Sequence, residues 1–129
     1  MTRRVLIFGT FDGLHAGHQF VVEEAAKKGS ELVVAVARDA HVRALKNKEP
    51  QNNEQSRLAR VGEDPRVFRA VLSDEELGSY HILDQVQPDL IALGFDQLAL
   101  KDDLERWMME HGRRIPIEIL SYASNMGRN

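Results

Sequence analysis

Four short apolar runs, Val5 to Phe8, Leu32 to Ala37, Val67 to Leu72 and Leu90 to Leu93, alternate with segments of helical pattern. This alternation constrains the fold more than any other feature. Runs of that length, apolar on successive residues, match strands buried on both faces. A weaker fifth run spans Ile115 to Leu120. Helical signals fill the intervals. Gly17 to Lys28 carries an apolar stripe of Val21, Val22, Ala25 and Ala26, with Gly29 placed as a C-terminal cap. Asn53 to Val61 starts at a capping asparagine, Asn52 or Asn53, with Leu58 and Val61 inward. Asp74 to Val86 spaces Leu77, Tyr80, Leu83 and Val86 by threes and meets Pro88 as a stop signal. Lys101 to His111 is closed by Gly112. The expected fold is α/β: a parallel sheet covered on both faces and joined by right-handed crossovers. The polar stretch Arg43 to Gln55 reads as a mobile loop after the second strand.

At 129 residues, 43% of them hydrophobic, the chain suits one domain with one core. No run approaches the roughly 18 apolar residues of a membrane span, so a cytoplasmic protein with no membrane partner is expected. A formal charge of -3 provides no broad basic surface, which argues against a nucleic-acid partner. The chain has no cysteine, so a bound metal needs oxygen or imidazole ligands, and magnesium fits better than structural zinc.

In open parallel sheets, ligands bind beyond the carboxyl ends of the strands. The least ordinary residues of the chain fall there, in Gly9-Thr10-Phe11-Asp12-Gly13-Leu14-His15-Ala16-Gly17-His18. Glycines at each end of this loop let backbone N–H groups approach a phosphate, and the following helix start adds a favourable dipole. His15 and His18, three residues apart, present two imidazoles to the negative charge that develops on a reacting phosphate. The same pair also reads as metal ligands, but no third ligand is near in sequence, or as a helix cap, which leaves the flanking glycines unexplained.

These residues carry a family resemblance. Gly9 to Asp12 with His15 to His18 resembles the signature of the cytidylyltransferase-like branch of the nucleotidylyltransferase superfamily, which includes glycerol-3-phosphate cytidylyltransferases and archaeal-type FAD synthases. Further segments follow in the same order: Val36 to Asp39 leading to Lys46, Glu54 to Leu58, Pro88-Asp89, and Leu93 to Gln97. The likeness covers roughly residues 4 to 120. It implies a single-domain Rossmann-like three-layer sandwich with a five-stranded parallel sheet. It also implies transfer of a nucleoside monophosphate from an NTP to a phosphorylated small-molecule acceptor, with pyrophosphate leaving and Mg2+ carried on the phosphates. Carried over by position, Gly9, Thr10, Phe11, Ala16 and Gly17 line the nucleotide site, and His15 and His18 stabilise the phosphates. Lys46 reaches in from the loop and Asp96 contacts the nucleotide. A homodimer is expected by the same resemblance.

Several of these residues have plainer readings. Lys46 is a lysine in a hydrophilic loop, and Asp96 is placed to cap the turn after the fourth strand. Arg57 either grips a phosphate of the acceptor or pairs with Glu54 on a helix surface. Asp12 either positions metal or acceptor or holds a tight loop through backbone bonds. His41, His81 and His111 lack a supporting constellation and read as surface or partly buried side chains, and Trp107 and Met108 as core or interface.

The sequence departs from the family at its end. A late Ser-Ser-Thr-x-Ile-Arg segment is usual, whereas here Leu120 is followed by Ser121-Tyr122-Ala123-Ser124-Asn125-Met126-Gly127-Arg128-Asn129. The motif is truncated, degenerate or absent, and Tyr122 and Ser124 stand where the last nucleotide contacts are expected. Gly94 to Gln97 and Ala37 to Asp39 resemble the archaeal-type FAD synthases, which points to ATP and FMN. A CTP-dependent enzyme acting on glycerol 3-phosphate or a similar phosphorylated alcohol is the alternative. A nucleotide-binding module without turnover is the alternative of another class.

Overall fold

The computed structural model describes residues 2–13 and 16–120. In chain order the elements are β1 (Arg4–Gly9), α1 (Ala16–Ala26), β2 (Glu31–Val36), α2 (Asp39–Lys46), α3 (Glu54–Gly62), β3 (Arg69–Leu72), α4 (Ile82–Val86), β4 (Leu90–Gly94), α5 (Leu98–His111) and β5 (Ile117–Leu120). The strands form one five-stranded sheet of order β3-β2-β1-β4-β5, parallel throughout. Val5 pairs with Leu32 on one side and Leu90 on the other, so β1 is central. Among the described residues, no helix is long and apolar enough to cross a membrane.

Strand alternation divides the core. Val5, Ile7, Val34, Val36 and Ala92 point to the face covered by α1 and α3, where Val22, Ala25 and Val61 meet them. Leu6, Val33, Ala35, Ile91 and Leu93 point to the other face, against Ile82, Leu83 and Val86 of α4 and Leu104 of α5. The central strands are therefore apolar on successive residues because both faces are covered. This is the three-layer α/β architecture expected from the sequence.

Several local features differ from the sequence reading, among them α5, which begins at Leu98 and not at Lys101. Arg43 to Lys46 belong to a helix: α2 buries His41 and Val42, carries Arg43 and Lys46 in its last turn and ends on Asn47 at φ 53. Basic side chains there complement the helix dipole, and asparagine tolerates the left-handed cap. The polar run thus contains a full helix end, with a loop only from 47 to 53.

The helix expected from Asp74 shrinks to α4. Gly78 and Tyr80 take positive φ of 83 and 49, which no α-helix accommodates, and the Asp74 carboxylate accepts from Ser79 Oγ at 3.0 Å and Ile82 N at 3.3 Å. Leu77 and Tyr80 have helical spacing without a helix. Gly29 is no left-handed cap. A Cβ there would lie 2.5 Å from the Arg3 carbonyl oxygen, so glycine lets the chain pass against the start of β1. Finally, β3 and β5 begin two residues later than their apolar runs.

Candidate active site

The strand order reverses between β1 and β4, and the carboxyl ends of the strands open there into a cavity of about 1140 Å³. Its walls bring together Gly9, Thr10, Phe11, His18, Lys46 and Asp96, six of the residues singled out by sequence. His15, Tyr122 and Ser124 lie outside the described residues. Ala16 and Gly17 open α1.

The loop after β1 turns on a buried aromatic ring. Phe11 sits at φ 56 and is only 2% exposed, packed into the core beneath α1. A Cβ at residue 9 would come 2.6 Å from the Phe11 ring, so only glycine lets the ring tuck under the strand end. The ring also meets the His18 imidazole, with centroids 5.1 Å apart. His18 Nδ1 lies 2.8 Å from the Gly13 carbonyl oxygen. A carbonyl can only accept, so this nitrogen donates and carries the ring's proton. The imidazole at the start of α1 is thus oriented by the loop it follows.

Asp12 fastens that loop to the one between α2 and α3. Its carboxylate accepts from Gln51 N at 2.6 Å, Asn52 N at 2.9 Å and Asn52 Nδ2 at 3.0 Å. Burial pulls its pKa up, but these hydrogen bonds and the nearby Arg57 charge outweigh it, so the carboxyl titrates below its ordinary value. Of the two sequence readings, loop-holding accounts for the contacts formed.

Arg57 corrects both of its sequence readings. It neither pairs with Glu54 nor faces an acceptor phosphate: the residue is 1% exposed and its guanidinium is committed inside the protein. It donates to the carbonyls of Thr10 at 2.8 Å, Ala37 at 2.7 Å and Asn52 at 2.9 Å, and to Asp39 Oδ1 at 2.6 Å. One buried cation therefore gathers the ends of β1 and β2 and the loop before α3. Glu54 instead accepts from Asp39 N at 2.7 Å. Asn53 caps α3, accepting from Ser56 N at 2.8 Å.

Lys46 ends α2 as an exposed side chain on the cavity wall. Asp96 is exposed after β4, close against Gly94: a Cβ there would meet Asp96 Oδ1 at 2.9 Å and push that carboxylate aside. The neighbouring Gln97 does what was not read from sequence. Its Nε2 donates to the Phe8 carbonyl at 3.0 Å and its Oε1 accepts from Gly94 N at 2.8 Å, tying the ends of β1 and β4 across the crevice.

The other end of the cavity was also missed. Tyr80, Leu77, Asp103 and Arg106 line it. The Tyr80 hydroxyl donates to Asp103, and Arg106 Nη1 reaches Asp103 Oδ1 at 3.3 Å. Burial, and then this carboxylate, push the Tyr80 pKa well above its ordinary value, so its proton stays in place. Two donors hold the loop that carries Leu77 and Tyr80: Arg38 Nε to the Ser73 carbonyl at 2.7 Å and His41 Nε2 to that of Glu75 at 2.8 Å. His41 is thus a buried fastening, 8% exposed. Trp107 belongs to the core, edge-on to Tyr80 with ring centroids at 6.1 Å and stacked by His111 at 4.2 Å. Among the described residues, no three His, Asp or Glu side chains converge on a metal position.

A glycine loop, an oriented imidazole at a helix start, and a crevice at the point where a parallel sheet reverses its order define a nucleotide-handling transferase of the Rossmann-like class. The chain belongs to the cytidylyltransferase-like family, whose model matches residues 6–117. It is 40% identical over 114 residues to the FAD synthase of Aciduliprofundum boonei, covering 88% of this chain and 75% of that one. Identity to the FAD synthase of Thermoplasma acidophilum is 40% over 125 residues, covering 95% and 86%. A crystal structure of the lipopolysaccharide core biosynthesis protein from Thermoplasma volcanium superposes with a TM-score of 0.85 at 38% identity, over 94% of this chain and 98% of that one. The protein is a nucleotidyltransferase that uses a nucleoside triphosphate and an acceptor.

Proposed function

We infer that this enzyme is an FMN adenylyltransferase, joining the AMP part of ATP to FMN and releasing pyrophosphate. The observation that carries the reading is the meeting of Gly9, His18, Lys46 and Asp96 in one cavity of a chain 40% identical to two FAD synthases. A phosphate oxygen of FMN attacks the α-phosphorus of ATP in line, and the bond from that phosphorus to the bridging oxygen breaks as pyrophosphate departs.

The side chains act by position and charge. Backbone N–H groups of the Gly9 loop and the start of α1 receive the phosphates. With its Nδ1 proton held by Gly13, His18 donates through Nε2 only as imidazolium, so the protonated ring is the form that stabilises the transferring phosphate. His15 acts beside it, Lys46 neutralises charge from the end of α2, and Asp96 contacts the nucleotide, with Tyr122 and Ser124 as later contacts. Arg57 and Asp12 are positioning residues that set the loop. With no cysteine in the chain, only oxygen or imidazole donors could hold an ion, which suits Mg2+ carried in with the NTP. The ion supplies charge neutralisation when bound. A cytoplasmic homodimer is the expected form, and sedimentation of the purified chain tests the assembly.

The deciding experiment measures pyrophosphate and nucleotide product with ATP and FMN, and separately with CTP and glycerol 3-phosphate. FAD formed only with the first pair is the expected result. Turnover with CTP alone would replace this reading, and nucleotide binding without turnover with either pair would make the protein a binding module.

A further inference from the structure

The cavity has a second end that the transfer chemistry does not use. Near the glycine loop it is lined from the α1 face of the sheet by His18 and Val21, and at its far end from the opposite face by Tyr80 and Leu100, so it straddles the carboxyl edge. At about 1140 Å³ it is larger than the usual single small-molecule site of roughly 300 to 1,000 Å³. Exposed apolar side chains stand in its wall: Leu45 is 72% exposed and Leu77 52%. Large apolar groups left open inside a concavity mark a site for a ligand with an apolar face.

Backbone strain marks the same two ends. Among the described residues, four non-glycine residues have positive φ: Phe11, Asn47, Tyr80 and Gln87. Asn47 and Gln87 are helix C-caps, where that conformation is ordinary. Phe11 and Tyr80 are bulky aromatics for which it is costly, and both line the cavity. One shapes the nucleotide loop. The other aims a hydroxyl at Asp103.

Within this apolar end, Asp103 and Arg106 retain hydrogen-bonding capacity. The Asp103 carboxylate receives Tyr80 on one oxygen and Arg106 on the other, which leaves lone pairs on both, and its side chain is 45% exposed. Arg106 spends one N–H on that contact and is 66% exposed. A fixed acceptor beside a multiple donor complements a ring edge that alternates carbonyl, N–H and carbonyl. The flavin ring carries such an edge on its pyrimidine side, with two broad apolar faces. We propose that Asp103 and Arg106, with Asp103 oriented by Tyr80, are the specificity-determining residues for the acceptor, reading the pyrimidine edge of the flavin while Leu45 and Leu77 cover its faces. This assignment rests on the FMN reading above. It places the ring on the α5 side of the sheet and leaves the FMN phosphate to reach back toward His18.

The test compares FMN with 3-methyl-FMN, in which the ring N–H is blocked, using the full chain and ATP. The wild type is expected to prefer FMN by roughly tenfold in kcat/KM, the scale of one charge-assisted hydrogen bond. Asp103→Ala removes both acceptor oxygens from this half-exposed side chain and should lose most of that preference. Arg106→Ala, on an exposed side chain, should raise the KM for FMN by roughly tenfold with the KM for ATP unchanged. Loss of packing alone would not erase discrimination between two ligands that differ by one methyl group. Wild-type preference retained in Asp103→Ala, or no preference in the wild type, overturns the assignment while FAD synthesis stands. Absence of any flavin adenylylation by the wild type overturns the FMN reading and this assignment with it, and is told apart by the missing FAD.

Discussion

The Arg57 guanidinium meets the Asp39 carboxylate at 2.6 Å, with the arginine side chain 1% exposed and the aspartate 19%. The pair sits under the carboxyl ends of β1 and β2, where Arg57 also holds the carbonyls of Thr10 and Ala37. Removing the cation strands a largely covered carboxylate and three carbonyls, those of Thr10, Ala37 and Asn52. Arg57→Ala should cost about 3 to 5 kcal/mol in urea unfolding. Arg57→Lys should recover only part of this, because an ammonium cannot span the same acceptors. A variant within about 1 kcal/mol of the wild type would remove Arg57 as the organiser of the loop.

His18→Ala should lower kcat by about 10² to 10³ with the circular dichroism spectrum unchanged, the loss typical of one donor to a charged transition state. Retained turnover in a steady-state pyrophosphate assay would take the imidazole out of the mechanism.

Lys46 sits on the cavity wall as an exposed side chain at a helix end. Lys46→Ala should change unfolding free energy by less than about 0.5 kcal/mol while lowering kcat/KM by tenfold or more. Equal activity of the variant and the wild type would return it to the solvated lysines of the sequence reading.

Gly94→Ala separates binding from stability. The new methyl meets the Asp96 carboxylate, a movable side chain, at 2.9 Å. The melting temperature should change little while the KM for ATP rises several-fold, which nucleotide titration and thermal melts together would check. An unaltered KM would show that Asp96 does not touch the nucleotide.

Asp12 titrates below its ordinary value of 3.8, so its stabilising contribution is present above that pH and is lost as pH falls through the lower folded value. Asp12→Asn should therefore melt below the wild type at about pH 7. The gap between the two should close as the buffer is taken below 3.8. A gap independent of pH would assign the stabilisation to shape rather than charge.

The periodicity of the chain was enough to read the sheet, because β1, β2 and β4 are buried on both faces and so are apolar on successive residues. Gly9, Phe11 and His18 were legible as parts of one loop for a similar reason: the glycine and the two rings meet within a single turn. What stayed hidden depends on distant partners. Arg57 read as either a phosphate grip or a surface partner of Glu54, because its acceptors are mainly main-chain carbonyls, which any sequence supplies. Tyr80 looked like one step of a helical stripe because its spacing by threes survives although Gly78 and Tyr80 itself leave the helical conformation. Asp103 and Arg106 were not singled out at all, because only the loop after β3 turns that face of α5 into a cavity wall.

The bond from Gln97 to the Phe8 carbonyl has a consequence for the order of assembly. It joins residues 89 positions apart, and the Arg57 contact to Thr10 spans 47. A loop written in the first thirteen residues is thus shaped by groups synthesised much later, and long-range closures of this kind are slow steps in folding. As the chain emerges from a ribosome, the end of β1 lacks its Gln97 partner until β4 has slotted in beside it. The enzyme acquires its active site as one of the last events of its own folding.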